Sequence, residues 1–205
     1  VWGEVELAYR TGKGRVLAIT GTNGKTTTTA LLGKIMKDAC PSVFVVGNIG
    51  TPYTSKAQEM QENSVTVVEI SSFQLETIEE FAPEVSAILN ITEDHLNRHH
   101  TMEEYIRVKE LITKNQSSED VCVLNYEDEV LRKFGETAVP KVVYFSSART
   151  LEKGIYLEGD TIMLTTETAK IPVVKTGELK LLGQHNYENV MAAVAMAYYA
   201  GVDME

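Results

Sequence analysis

Cysteine is nearly absent from the sequence: Cys40 and Cys122 are the only two in 205 residues. They stand far apart, in no metal-binding or redox spacing, which excludes a disulfide framework and reads as two reduced thiols of a cytoplasmic protein. Long apolar runs are missing as well. The longest, Val190 to Ala200, is too short to cross a bilayer, and the first residues lack the basic-then-apolar layout of a secretion signal, so no membrane partner is expected. Positive charge is in deficit, with 19 Lys and Arg against 29 Asp and Glu and a net charge of -10. No basic cluster breaks that average, so a nucleic-acid backbone finds no electrostatic platform. There is no internal repeat and no low-complexity segment. What is present is 43% hydrophobic content, enough to bury the core of one large domain, or of one domain with a small appendage.

The most informative stretch is Val16 to Ala30, VLAITGTNGKTTTTA. Val16 to Ile19 is the unbroken apolar run of a strand buried on both faces. Gly21 and Gly24 then bracket a turn in which the backbone must open and come close to a ligand. At the N-terminus of the helix beginning near Lys25, backbone N–H groups and the helix dipole favour an anionic phosphate. Lys25 is placed to reach β- and γ-phosphates, and the Thr26 hydroxyl to meet a magnesium ion. The usual longer phosphate loop would place a first glycine where Ile19 stands, so this is a shortened form, Gly-x-x-Gly-Lys-Thr.

Taken in order, Val1 to Lys13 carries an amphipathic piece, Glu4 to Tyr9, and reads as the tail of something preceding the domain. After the loop come a helix to Asp38, a strand Ser42 to Val46, and a strand Val65 to Ile70. A helix from Ser71 through Glu80 stops before Pro83, and Val85 to Leu89 is the next strand. It releases the polar loop Asn90 to His100. Thr101 with Glu104 forms a capping-box pattern opening a helix Met102 to Asn115. Strands Val121 to Leu124 and Lys141 to Phe145 flank a helical Asp128 to Phe134. This alternation predicts a mostly parallel α/β sheet of the P-loop type, flanked by helices with right-handed crossovers. Gly154 to Glu158, Thr161 to Thr165 and Lys170 to Val174, with a hairpin turn at Gly159-Asp160, predict a small antiparallel sheet beside it. A last helix runs from about Asn186 to Ala200.

In such a sheet, ligand-binding residues collect beyond the carboxyl ends of the strands. The strand ends here carry the phosphate loop, Asn48, Glu69 with Ser71 and Ser72, and then Asn90, Thr92, Asp94 and His95. A lone carboxylate at a strand end is ordinarily just solvated, but opposite a phosphate loop Glu69 can hold magnesium through hard oxygen. Imidazole is an unusual magnesium ligand, so chemistry alone leaves His95 a local hydrogen-bonding or surface group. His99 and His100 read as surface residues. Lys109, mid-helix and one turn after Tyr105, reads by pattern as an exposed lysine.

The set GTNGKTTTT, GNIG, EISSFQLE, NITEDHLNRH, the Tyr105–Lys109 spacing and GQHNYEN resembles the Mur ligase family of peptidoglycan synthesis over essentially the whole chain. The Ser-Ser-Phe-Gln-Leu-Glu run is similar to that of the family's D-glutamate-adding branch. The resemblance implies that Gly21, Thr22, Asn23, Gly24, Lys25, Thr26 and Thr27 bind ATP phosphates. It implies that Thr26 and Glu69 share a first magnesium ion, and that His95 joins a second completed by a carbamylated Lys109. CO2 addition would turn that ammonium into an oxygen-bearing anion suited to magnesium. Lys25, His95 and Lys109 become the catalytic set. Asn48, Ser71 and Gln74 are implied at the nucleotide-sugar substrate, Arg98 as a lesser candidate there, and Asn186 and Asn189 at the adenine.

The implied reaction is ATP-dependent amide formation between UDP-N-acetylmuramoyl-L-alanine and D-glutamate through an acyl phosphate. Family members have three domains. On that pattern residues 1–13 are the remnant of an N-terminal domain, residues 14–205 the central ATP-binding domain, and the C-terminal amino-acid-binding domain is absent. A monomer that does not complete the ligation alone is the expectation. A folylpolyglutamate synthase-like ligase and a non-catalytic ATP-binding module are the alternatives, the Phe73-Gln74 pair standing against folate.

Overall fold

A computed structural model describes residues 2–48, 50–93, 101–181 and 183–204. Its centre is β1 (Arg15–Thr20), which pairs in parallel with β3 (Val65–Glu69) on one side and β4 (Val85–Ile88) on the other. β2 (Val43–Gly47) lies outside β3, and β5 (Val121–Asn125) and β6 (Lys141–Ser146) extend the parallel section beyond β4. β7 (Gly154–Glu158), β8 (Thr161–Thr165) and β9 (Lys170–Lys175) follow, giving a single sheet ordered β2-β3-β1-β4-β5-β6-β7-β8-β9. The antiparallel section expected from the sequence is present, but it continues the main sheet instead of lying beside it. Phe145 pairs with Ile155 in parallel before the chain reverses at Gly159 and Asp160.

The apolar run of β1 explains the layering. Successive strand side chains point to opposite faces, so Leu17 and Ile19 enter one core while Val16 and Ala18 enter the other. The first core is closed by α2 (Lys25–Ala39) through Leu32 and Met36, and by α6 (Gln184–Tyr199). The small buried residues Ala192, Ala193, Ala195 and Ala197 let α6 lie close against the sheet and α2. The second core is closed by α1 (Glu4–Thr11), α4 (Met102–Glu110) and α5 (Glu129–Gly135). The leading segment is therefore ordered: Val5 and Ala8 of α1 pack with Tyr53, Ala57 and Phe81.

Two helices are shorter than their patterns suggest. Beyond Ser71 only α3 (Ser72–Leu75) is helical, and it does not run to Glu80. The reason is a long-range competitor: the Glu6 carboxylate, fully buried, accepts the backbone N–H groups of Glu79, Glu80 and Phe81. Lys114 and Asn115 donate to the carbonyls of Ile78, Glu79 and Phe81 from the other side. A continued helix would have needed those same groups for itself. Likewise α4 ends at Glu110 and tightens into a 3-10 turn, Leu111–Thr113. Its start is capped as expected, with Thr101 Oγ1 accepting from Glu104 N, while the Glu104 carboxylate is held by Arg107.

Candidate functional site

The loop after β1 turns on two glycines at positive φ, Gly21 at 145° and Gly24 at 84°. Gly24 is needed twice over. A Cβ there would be strained by the torsion and would sit 2.2 Å from Asn189 Oδ1. Its bare backbone lets α6 approach, and the same Asn189 oxygen accepts from Thr28 Oγ1 at 3.3 Å. Lys25 opens α2 and folds back over the loop, donating to Gly21 O at 3.0 Å and Thr22 O at 2.8 Å. Thr22 to Thr27, with Asn48 and Glu69, line a cavity of about 320 Å³ at the head of α2.

The parallel register brings Glu69 here. It lies opposite Ile19 on one side and Gly47 on the other, so its side chain ends at the mouth of the loop. Glu69 is 2% exposed, and its Oε1 has no hydrogen-bond partner. An unsatisfied buried carboxylate oxygen is costly, and a hard cation would satisfy it. Beneath the loop, Lys109 is 2% exposed, contrary to its pattern, and donates to Gly21 O at 2.8 Å and Thr20 Oγ1 at 3.2 Å. Its Nζ also stands 5.2 Å from the centre of the Tyr105 ring. Tyr105 in turn shares a 3.2 Å hydrogen bond with Thr22 Oγ1.

On the other side of Gly24 a second cleft of about 610 Å³ opens between the ends of β4, β5 and β6 and the start of α6. Asn189 lines it, together with Asn90, Asn125, Glu127, Asp128 and Phe145. Burial works to raise the pKa of Glu127, but hydrogen bonds from Arg149 and Ser146 outweigh it and hold this carboxylate below its ordinary value. Asp128 caps α5 through Oδ1 and takes the Ile91 N–H on Oδ2 at 2.7 Å.

Most residues singled out from the sequence gather at these two cavities. Asn48 is on the smaller one, its main-chain N–H bonded to Glu69 O. Ser71 and Gln74 stand just past Glu69 and form a capping box with each other. Asn186 lies half-buried in the first turn of α6 and is not among the residues lining the larger cleft. His95, Arg98, His99 and His100 fall outside the described residues. Among the described residues no group of three or more His, Cys, Asp or Glu side chains is clustered to hold a metal, and no helix is long and apolar enough to cross a membrane. Sequence reasoning missed Asn125, Glu127 and Asp128, although Asn125 ends β5 and the other two follow it, at the position where the strand-end rule directs attention.

Fold and loop together define an α/β domain of the P-loop type. The chain belongs to the Mur ligase family: the Mur ligase middle domain matches residues 19–197. It is 57% identical over 203 residues to the UDP-N-acetylmuramoylalanine--D-glutamate ligase of Lachnoclostridium phytofermentans, covering 99% of this chain and 45% of that protein. It is 50% identical over 204 residues to the ligase of the same name from Clostridioides difficile, covering 99% and 45%. The chain thus spans about half the length of the curated relatives it matches. Among solved structures, it resembles a MurF ligase of Thermotoga maritima in complex with ADP, with a TM-score of 0.70 at 20% identity, covering 98% of this chain and 49% of that one. A UDP-N-acetylmuramoyl-L-alanyl-D-glutamate--2,6-diaminopimelate ligase has a TM-score of 0.72 at 24% identity, covering 98% and 46%. At those identities the likeness speaks for the fold.

Proposed function

We propose that residues 14–205 are the ATP-binding domain of a cytoplasmic, monomeric ligase that joins D-glutamate to UDP-N-acetylmuramoyl-L-alanine. The observation that carries this reading is the unpartnered Glu69 oxygen, buried at the mouth of a loop that also presents Lys25 and Thr26. Two hard oxygens, from Glu69 and Thr26, fit a magnesium ion there, and bound magnesium would draw charge from the phosphate oxygens. As a carbamate, Lys109 would supply oxygen donors to a second magnesium ion, together with His95. After CO2 addition its nitrogen keeps one N–H, enough for one of its hydrogen bonds to Gly21 O and Thr20 Oγ1.

The residues then act by position and charge. Lys25 leaves its two carbonyl partners for the β- and γ-phosphates as the substrate carboxylate attacks the γ-phosphorus, and ADP departs. The acyl phosphate so formed is attacked by the amine of D-glutamate, and phosphate leaves from a tetrahedral intermediate. Asn48, Ser71 and Gln74 face the nucleotide-sugar substrate at the end of β3. The larger cleft takes the adenine beside Asn189, and Asn186 is assigned to the same base.

Calorimetric titration of the chain with MgATP, wild type against Lys25→Ala, tests the reading. Losing a charge-assisted contact of about 1.5–3 kcal/mol weakens binding by about tenfold or more in the variant. Equal affinity in the two proteins, or no heat from folded wild type, would refute it for this chain.

A further inference from the structure

The apex of the phosphate loop is gripped from outside by Asn90, which also lines the larger cleft. Asn23 is exposed, and Asn90 at the end of β4 takes both of its main-chain groups. Asn90 Oδ1 accepts from Asn23 N at 2.8 Å, and Asn90 Nδ2 donates to Asn23 O at 3.1 Å. The carboxamide here imitates a peptide unit and extends the pairing of the strand ends by one step. The main chain does the same next door, where Thr22 N donates to Asn90 O at 2.9 Å. Thr22 Oγ1 closes the seam, accepting from Thr92 N at 3.0 Å and donating to Thr92 O at 3.2 Å.

This grip has its own anchor. Between Asn90 and Thr92, the Ile91 N–H is taken by Asp128, whose other oxygen is committed to the cap of α5. The chain of contacts runs from α5 through Asp128 to residues 90–92, and from Asn90 to the loop apex. We propose that Asn90 is a positioning residue that holds the phosphate loop in its binding shape, with Asp128 fixing the segment that carries it. The inference rests on the reading of this loop as the ATP-phosphate site. The chemistry is specific to a carboxamide. Aspartate offers no donor to Asn23 O and adds negative charge near the phosphates; alanine offers nothing; glutamine can supply both groups from a longer arm.

The test uses two measurements on this chain with Asn90→Ala, Asn90→Asp and Asn90→Gln. The first needs no ligand: amide hydrogen exchange by NMR at Asn23, with Thr22 as the internal control because its N–H goes to the Asn90 main chain. Loss of one net hydrogen bond speeds exchange at Asn23 about tenfold in Asn90→Ala, with Thr22 unchanged. The second is MgATP affinity, which falls about tenfold in Asn90→Ala, further in Asn90→Asp, and recovers in part in Asn90→Gln. Unchanged Asn23 exchange overturns the proposal, as does faster exchange with unchanged affinity. If wild type itself fails to bind MgATP, the ATP reading fails, and the exchange data alone then decide whether Asn90 holds the loop.

Discussion

Gly24→Ala tests the construction of the site at its tightest point. Two separable costs follow from the geometry. An alanine at φ 84° sits in the left-handed region, at about 1–2 kcal/mol. The new methyl would lie 2.2 Å from Asn189 Oδ1, so the Asn189 side chain must swing away and release Thr28 Oγ1, for about 1 kcal/mol more. The sum is about 2–3 kcal/mol of lost stability, or about 5–10 °C in Tm for a chain of this length. Urea unfolding at constant pH measures the total, and a double-mutant cycle separates its parts. In an Asn189→Ala background the clash is gone and only the torsional cost remains, so Gly24→Ala there should cost about 1 kcal/mol less than in wild type. A single-variant loss below about 0.5 kcal/mol would refute the torsional argument. A coupling near zero would refute the account of why α6 lies where it does.

The Glu6 clamp predicts a loss of about 3 kcal/mol for Glu6→Ala, because three backbone N–H groups and Arg10 lose their acceptor together, and urea midpoints would show it. Burial works to raise the Glu6 pKa, but the hydrogen bonds from Glu79, Glu80, Arg10 and Phe81 prevail and the net shift is downward from 4.5. A depressed carboxylate pKa gives stability that is full above its unfolded value and lost as pH falls through the folded one. Glu6→Gln should therefore flatten the drop in unfolding free energy below about pH 4.5, and an unchanged slope would contradict the clamp. Burial pushes the Cys122 thiol up to about 12, while Cys40 is half-buried. One thiol should thus react with a disulfide reagent in the native protein and the second only on unfolding. A Cβ on Gly33 would meet Val45 Cγ2 at 2.4 Å, so Gly33→Ala should cost about 1–3 kcal/mol, with Val45→Ala restoring part of it.

Strand positions were legible because burial on both faces leaves a local signature: the apolar runs at Val16, Val65, Val85 and Val121 each mark a strand of the parallel section. The phosphate loop was legible for the same local reason, since two glycines and Lys-Thr occupy six consecutive positions. What stayed hidden was set by partners distant in sequence. The helix expected to reach Glu80 stops because Glu6, more than seventy residues earlier, takes its N–H groups. Nothing in residues 71–80 signals that acceptor. The continuity of the β7 section with the main sheet was hidden likewise, because the short parallel pairing of Phe145 and Ser146 with Ile155 and Tyr156 decides it.

Lys109 shows where a pattern misleads for a chemical reason. A lysine one turn after a tyrosine on an amphipathic helix is normally solvated, and burying its charge without partners would cost several kcal/mol, about the whole margin of a marginal domain. The structure meets that cost with oxygens from β1 and the phosphate loop, Thr20 Oγ1 and Gly21 O, which no pattern on α4 could reveal. The loop gains as well, because Gly21 O accepts from both Lys109 and Lys25 and so ties the outer lysine to the buried one. Lys109→Met, which keeps the length and removes the charge, separates the two effects. If Lys109 acts only as a loop support, the variant should lose MgATP affinity in the chain about as Asn90→Ala does. If its larger role is the proposed carbamate, binding should hold within about twofold while ligation by the full-length enzyme disappears, since that chemistry acts in the reaction more than in the ground state.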